Sequence, residues 1–452
     1  MLLKGVSILT SKVKQRIVLI IALLSYFLTA LSTSIVITGL TKISADLHLD
    51  QLGLSWVQNA YGLAFGSFIL LSGRLSDLLG RRRVLNMALV IFSIGSLIAG
   101  FTDQTVVMIA ARFLQGIGAA ILAPTSMALL MDYFEGPALV RAIAWYSSIS
   151  GLGASVGLVL GGVLASYLSW RIGFYLNVPV ALVMLCLSVV TLKKSRVRHE
   201  SFDWIGTVLS VIGSGILVYA VNGAKNGVLF LIIALILLST FVGYEKKNQA
   251  PIMPLSIFHS RQRVLAYSIR ALFVGAMMGF WFFISEYLQE VLHATPLLTG
   301  FAFLPMTLTL FITAILVPRL IMNWDNKHTL ILANVLLVIG FLWIWIGGNH
   351  GYLTTVIMPM ILFGIGQGLG LTPLTNFGIA DVPTAQTGVA SGMVNTAHQL
   401  GSVLGLAIMV NISSALVNAQ NIAGQFRIAM FVGLILTIVC TGLSLMIHVE
   451  KK

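Results

Sequence analysis

Carboxylates embedded in apolar sequence are the groups here best suited to chemistry. Of the fourteen acidic residues, only Glu286 falls well inside a long apolar run, with Glu290 at its margin. An ionisable group in a bilayer costs ~2.5–3.5 kcal/mol on insertion scales, so it is a functional candidate by default. Such a carboxyl can take up and release a proton or balance the charge of a bound cation. A structural ion pair, or a hydrogen bond to a neighbouring helix, is the plainer alternative. Glu286 and Glu290 are four residues apart, which puts both on one helix face, with Gly279, Phe282 and Phe283 beneath Glu286. Arg112 and Arg270 are the cations left inside apolar runs; Arg112 lies near enough to Asp103 to snorkel toward a surface instead. The His398-Gln399 pair can titrate near neutral pH, and Trp281, Phe282, Phe283 and Trp343 can stack on planar cations. Tyr61, Gln115 and Asn395 add polar groups within apolar runs, where a helix–helix hydrogen bond competes with a ligand contact. No H-E-x-x-H motif, paired aspartates or G-x-x-x-x-G-K-[ST] loop is present. A metal centre, a cofactor site and a nucleotide-driven pump are therefore not expected, and a polytopic membrane enzyme or sensor is a distant alternative.

The elements that must position these groups follow from composition. Charged residues are 9% and hydrophobic ones 58%, with a mean hydropathy of +0.98. Soluble domains carry about 25% charged residues, so a soluble enzyme, a nucleic-acid binder and a disordered chain are excluded. A membrane-crossing helix needs about 20 apolar residues. Polar and Gly/Pro punctuation divides the chain into apolar segments near 17–40, 54–73, 84–101, 106–130, 142–166, 172–192, 204–221, 228–243, 264–289, 299–318, 329–347, 353–378, 387–416 and 426–447. That is fourteen spans, the first too long for a cleaved signal peptide. With the N-terminus inside, alternate loops and ends hold twenty-one Lys and Arg residues on the inner side and four on the outer. This bias places both termini in the cytoplasm and makes the net charge of +13 a topology signal, not a nucleic-acid patch. Glu286, about 24 Å beyond Arg270 at 1.5 Å per residue, then lies in the outer half and Glu290 near the outer interface. The basic stretches Lys193–Asp203 and Glu245–Arg263 divide the chain into a six-span bundle over 1–192, a two-span insert over 193–263, and a second six-span bundle over 264–452. Cys186 and Cys440 lie in apolar runs, which argues against a disulfide framework.

Two loops and one helix carry motifs. Gly73-Arg74-Leu75-Ser76-Asp77-Leu78-Leu79-Gly80-Arg81-Arg82-Arg83 sets an Asp between glycines beside an Arg cluster. It is either an ordinary positive-inside loop or a charge latch between two helix arrangements. Arg319 to Lys327 occupies the matching place in the second half, with Arg-Leu and a displaced Asp325. Gly153, Gly157 and Gly161, with Gly162, make a small-residue stripe suited to close helix approach in lipid, whether as a static contact or a moving one.

The first of these loops resembles the cytoplasmic signature of the major facilitator superfamily, G-x-L-[AS]-D-x-x-G-[RK]-[RK], at Gly73, Leu75, Ser76, Asp77, Gly80, Arg81 and Arg82. Arg112-Phe113-Leu114-Gln115-Gly116-Ile117-Gly118-Ala119-Ala120 is similar to that family's fourth-span element. Trp170-Arg171 with Phe174, Asn177, Val178 and Pro179, and Phe202-Asp203-Trp204-Ile205-Gly206, resemble its fourteen-span branch; Tyr287-Leu288-Gln289, Thr299-Gly300 with Pro305, and Ala390-Ser391-Gly392 match more loosely. The resemblance implies an all-α polytopic protein of two six-helix bundles plus two extra spans, acting as a bacterial drug:proton antiporter in the cytoplasmic membrane. Its substrates would be amphipathic cationic or zwitterionic compounds, or an endogenous lipid or metabolite, handled by a monomer. Sodium is an equally open coupling ion. In family terms Arg112 tunes proton transfer near the first span. Two positions depart from the pattern. Ser32 stands where the first-span motif L-D-x-T-I-V-N has its Asp, and Leu158 replaces the proline of G-P-x-x-G-G. Glu286 is thus the leading candidate for coupling proton to substrate, with Ser32, Tyr61, Gln115, Trp281, Phe282, Asn395 and His398 as candidate cavity residues.

Overall fold

Apolar runs this long must satisfy their backbone groups internally, and they do so as helices. The computed structural model describes residues 11–192, 203–222, 225–248, 251–347, 352–383 and 386–447. Among them are no strands. The helices are α1 (Ser11–Leu47), α2 (Gln51–Leu79), α3 (Arg81–Phe101), α4 (Thr105–Tyr133), α5 (Gly136–Tyr167), α6 (Trp170–Tyr175), α7 (Asn177–Thr191), α8 (Trp204–Val221) and α9 (Gly227–Glu245). The second part of the chain continues with α10 (Arg261–Glu286), α11 (Pro296–Ala302), α12 (Leu304–Trp324), α13 (Asn326–Gly347), α14 (Met358–Ile379), α15 (Thr387–Leu416) and α16 (Ile422–Leu445). Twelve helical segments among the described residues are long and apolar enough to cross a membrane. Two more long helices, α2 with 29 residues and α5 with 32, alternate with these in chain order.

The chain is a multi-pass membrane protein. Its exposed large side chains, such as Ile94, Val183, Leu235, Ile236, Ile315 and Ile438, are apolar, as a lipid-facing surface requires. The buried side of the bundle is tied by three kinds of contact. Within the first half α1 packs on α5 and α2 on α4; within the second α10 packs on α15 and α16, and α12 on α14. Between the halves α2 meets α15, α5 meets α11, and α1 meets α10. The hairpin of α8 and α9 lies outside, with α8 against both α2 and α15. At its tip Ser55 donates to Asn222 (3.1 Å) and Asn411 donates to the Val221 carbonyl (3.1 Å), so the hairpin is bonded to both halves.

Local sequence explains several details. Gly153, Gly157 and Gly161 face α1: a Cβ at Gly157 would stand 2.8 Å from that of Ser34, and one at Gly161 2.9 Å from the Ile35 Cα. Gly162 points the other way, where a Cβ would lie 2.5 Å from the Pro296 carbonyl oxygen at α11. With Leu158 in place of a proline, α5 runs unbroken through this stripe. The α2–α3 turn passes through Gly80 at φ 87°, and the α12–α13 turn through Asp325 at φ 84°. The displaced Asp of the second half thus stands where the first half has its glycine. Asp325 tolerates that left-handed conformation by capping α13: Oδ1 accepts the His328 amide (2.9 Å) and Oδ2 meets the His328 ring (2.9 Å). Burial works against its ionisation, but the His328 amide and ring hold the Asp325 carboxyl below its ordinary range.

Candidate functional site

A cavity of about 280 Å³ lies between the halves. From the first half it is lined by α1 (Tyr26, Thr29, Thr33), α2 (Gln58, Asn59, Tyr61) and Ala154 of α5, and from the second by α10 (Met277, Met278, Trp281), α14 (Gln367, Leu371) and α15 (His398, Gln399). Aromatic, thioether and amide side chains therefore mix, a lining suited to amphipathic molecules of varied shape. Of the residues singled out from sequence, Tyr61, Trp281 and His398 line it. Four others do not. Ser32 and Gln115 are buried behind the wall as partners of Arg112. Phe282 turns into the core, edge-on to Phe283. Asn395 is exposed and donates to the Ser391 carbonyl of its own helix.

Arg112 does not snorkel: it is fully buried. Nε donates to the Val57 carbonyl (3.1 Å), and Nη1 to Ser32 Oγ (3.1 Å) and Gln115 Oε1 (2.8 Å). Its guanidinium lies 4.5 Å from the centroid of Tyr61, whose other side faces the cavity. Gln115 is oriented in turn by Ser96 (2.6 Å). Nη2 has no partner among the described residues.

Glu286 lies apart from the cavity. It is 9% exposed and accepts from Gln51 Nε2 at 2.9 Å, while Gln51 Oε1 accepts from Ser414 (2.9 Å). Three helices, α10, α2 and α15, thus meet on one glutamine. Beside this triad Ser285 donates to the Ile37 carbonyl (2.6 Å), and Thr41 donates to Gln289 (2.6 Å). On the far flank the Leu297 amide donates to Ser166 (3.0 Å). These bonds close the end of the bundle that carries Gln289 and Glu290. Among the described residues no acidic side chain lines the cavity. After Glu286, α10 gives way to a π-helical turn, Tyr287–Val291, in which Glu290 is exposed where Glu286 is buried.

At the opposite end Arg81 bonds the Ala128 carbonyl and pairs with Asp132 at 2.6 Å, joining the start of α3 to α4. Arg82 donates to the Leu192 carbonyl (3.0 Å) at the end of α7. Gly73 and Asp77 fall within α2, but their side-chain surroundings lie outside the described residues. Gln51, Ser285, Gln289 and Ser414 were not singled out for function from sequence. Glutamine and serine near helix ends carry no local mark that they meet across 235 or more positions.

A helical bundle whose two halves enclose a cavity and close over one end of it defines a membrane transporter, not an enzyme. The family model described as "Major Facilitator Superfamily" matches residues 22–406, and the chain belongs to that family. It is 32% identical over 408 residues to the puromycin resistance protein pur8 of Streptomyces alboniger, covering 88% of this chain and 81% of that one. The cephamycin export protein CmcT of Amycolatopsis lactamdurans is 32% identical over 412 residues, with 88% and 85% covered. Among solved structures, a mutant of the peptide transporter POT in complex with alafosfalin superposes with a TM-score of 0.71 at 14% identity, over 95% of this chain and 94% of that chain. The last likeness concerns the fold alone.

Proposed function

We propose that the chain is a proton-coupled exporter of small amphipathic molecules, working by alternating access in a bacterial cytoplasmic membrane. The observation that carries this reading is the pairing of a cavity between the halves with a closed end whose hydrogen bonds run through Glu286. In this reading α2 and α5 complete a set of fourteen spans, both termini are cytoplasmic, and the Glu290 end faces outward. Residues 1–192 and 264–452 form the two bundles that rock about the cavity, and 193–263 the insert. The relatives named for puromycin resistance and cephamycin export support efflux as the direction of transport.

Coupling then has a physical basis. Closing the outer end takes the Glu286 carboxyl out of water and gives it Gln51 as donor; opening returns it to water. A group whose surroundings change between two states must change its proton affinity with them, and the proton must in turn bias the states. Glu286 acts at the gate, not on the substrate. The test is Glu286→Gln in everted vesicles. Substrate-driven proton release is expected to vanish while substrate binding to purified protein is retained. Full proton release by the variant would overturn the assignment.

A further inference from the structure

The cavity's charge was expected to suit cations, yet the groups around it point the other way. Every residue lining it is uncharged or a histidine. Immediately behind the wall stand two guanidinium groups, one in each half. Arg112 lies behind Tyr61. Arg270, 8% exposed, lies behind His398: Nε donates to His398 Nδ1 (3.2 Å), and Nη1 donates to the Leu371 carbonyl (2.9 Å) and to Thr375 Oγ1 (3.2 Å). Both arginines are bonded to neutral acceptors. Among the described residues the ion pairs are Arg81–Asp132, Arg171–Asp103 and His328–Asp325, none of which involves them. Two buried cations without a carboxylate, flanking a cavity that has none, leave the space between them electropositive.

The Arg270 bond also fixes the histidine. With its Nδ1 lone pair engaged by the guanidinium, the His398 ring carries its hydrogen on Nε2, and a second proton on Nδ1 would break the bond. His398 is therefore a hydrogen-bond donor toward the cavity and not a proton carrier, and Arg270 polarises that donor from behind. The Tyr61 ring, held by Arg112 on one face, also lines the space, with its hydroxyl turned to the Thr29 carbonyl (3.5 Å). Gln367 and Gln399 add amide groups to the lining, while the Gln58 amide donates to Met278 Sδ (3.8 Å). Against these the apolar side is formed by Phe273, Met277, Met278 and Trp281, the last stacked on Phe303 at 5.1 Å.

We infer that the cavity selects amphiphiles bearing an anionic group, a carboxylate or a comparable oxyanion on an aromatic or apolar body, and that His398 is its donor with Arg270 as positioning residue. Zwitterions fit through their anionic end; amphiphiles that are purely cationic are disfavoured. This rests on the exporter reading for what the cavity is for, but the charge preference is a property of binding and is measured without transport.

Three xanthene dyes of one skeleton separate the possibilities: fluorescein (anionic), rhodamine 110 (zwitterionic) and rhodamine 6G (cationic). Fluorescence polarisation with the purified full-length protein is expected to show fluorescein and rhodamine 110 binding at least about tenfold more tightly than rhodamine 6G, the scale of one charge-assisted hydrogen bond. Arg270→Gln is expected to erase that preference and Arg270→Lys to keep most of it. His398→Gln, which retains a donor, should bind fluorescein better than His398→Phe. Retained rhodamine 6G binding reports that each variant is folded, and in Arg270→Gln it is expected to tighten, since removing a buried cation relieves repulsion of the cationic dye. Equal or tighter binding of rhodamine 6G by the unaltered protein overturns the inference, as does an unchanged charge preference in Arg270→Gln. Dye accumulation in everted vesicles is scored separately. Bound dyes that are never moved count against the exporter reading and leave the charge selection standing.

Discussion

At the residue scale, the membrane charges divide into two tasks by what surrounds them. Glu286 is held by a side-chain amide from another helix, at a junction that must break when the outer end opens. Arg112 is held by Val57, Ser32 and Gln115 within its own half, so the opening of the halves need not disturb it. The Ser32 hydroxyl, at the position where the sequence resemblance would place an Asp, leaves the cation uncompensated. Restoring the acid is an informative experiment. Ser32→Asp is expected to neutralise Arg112, reduce fluorescein binding several-fold through loss of its long-range attraction, and favour rhodamine 6G, read by the same polarisation assay. Gln51→Leu removes the shared bridge and leaves the Glu286 carboxyl and Ser414 hydroxyl buried without it, at a cost of about 1–3 kcal/mol to the closed end. The expected outcome is a larger fraction of outward-open protein, measured as faster labelling of a cysteine placed at Thr33 by a membrane-impermeant thiol reagent from outside. The buried ions Glu286, Arg112 and Arg270 were legible in the sequence as charges within apolar runs. What they touch was mostly not, because the partners of Glu286 and Arg270 lie more than 100 positions away on other helices, and Arg112 reaches Val57 and Ser32 across 55 and 80 positions.

At the element scale, helix identity was legible almost throughout, since each of the fourteen apolar segments is mainly helical, with breaks at Leu176 and Phe303 and the last segment running past the end of α16 at Leu445. Hydropathy cannot register the π-helical turn after Glu286, which carries no compositional mark, nor that Glu290 is exposed while Glu286 is buried. The glycine stripe on α5 was readable because small residues at fourth positions have one use in lipid, close approach. That α1 is the neighbour required the fold. Gly161→Val would drive a branched side chain into Ile35 and Thr38. Overpacking of this kind costs about 1–3 kcal/mol, so a lowered midpoint of thermal unfolding in detergent is expected, while Val163→Ala on the same helix should be nearly silent. The Arg81–Asp132 pair is partly exposed, with side chains 25% and 45% accessible, and surface pairs contribute at most about 1 kcal/mol. On the proposed reading its use is in timing instead of stability. Asp132→Asn, and equally Asp77→Asn in the adjoining motif, are expected to slow turnover with little change in dye affinity.

At the scale of the whole molecule, the hydrogen bonds between the two halves gather toward one end. Ile37, Thr41, Gln51 and Ser166 of the first half meet Ser285, Gln289, Glu286, Ser414 and Leu297 of the second. Alternating access requires these bonds to be made and broken together while the cavity residues travel with their own bundles. A reversible bridge across them therefore separates binding from translocation. Ser166 Oγ and the Leu297 amide are 3.0 Å apart on the flank of the closed end, where cysteines can be joined by a short methanethiosulfonate cross-linker after Cys186 and Cys440 are replaced by alanine. The bridged protein is held open toward the Arg81 end, so it is expected to bind dye from that side with unchanged affinity while transport falls to background. Reduction of the bridge restores transport. If bridged protein still transported at the reduced rate, the halves could not be rocking about this end, and the gate assigned to Glu286 would lose its mechanical basis as well.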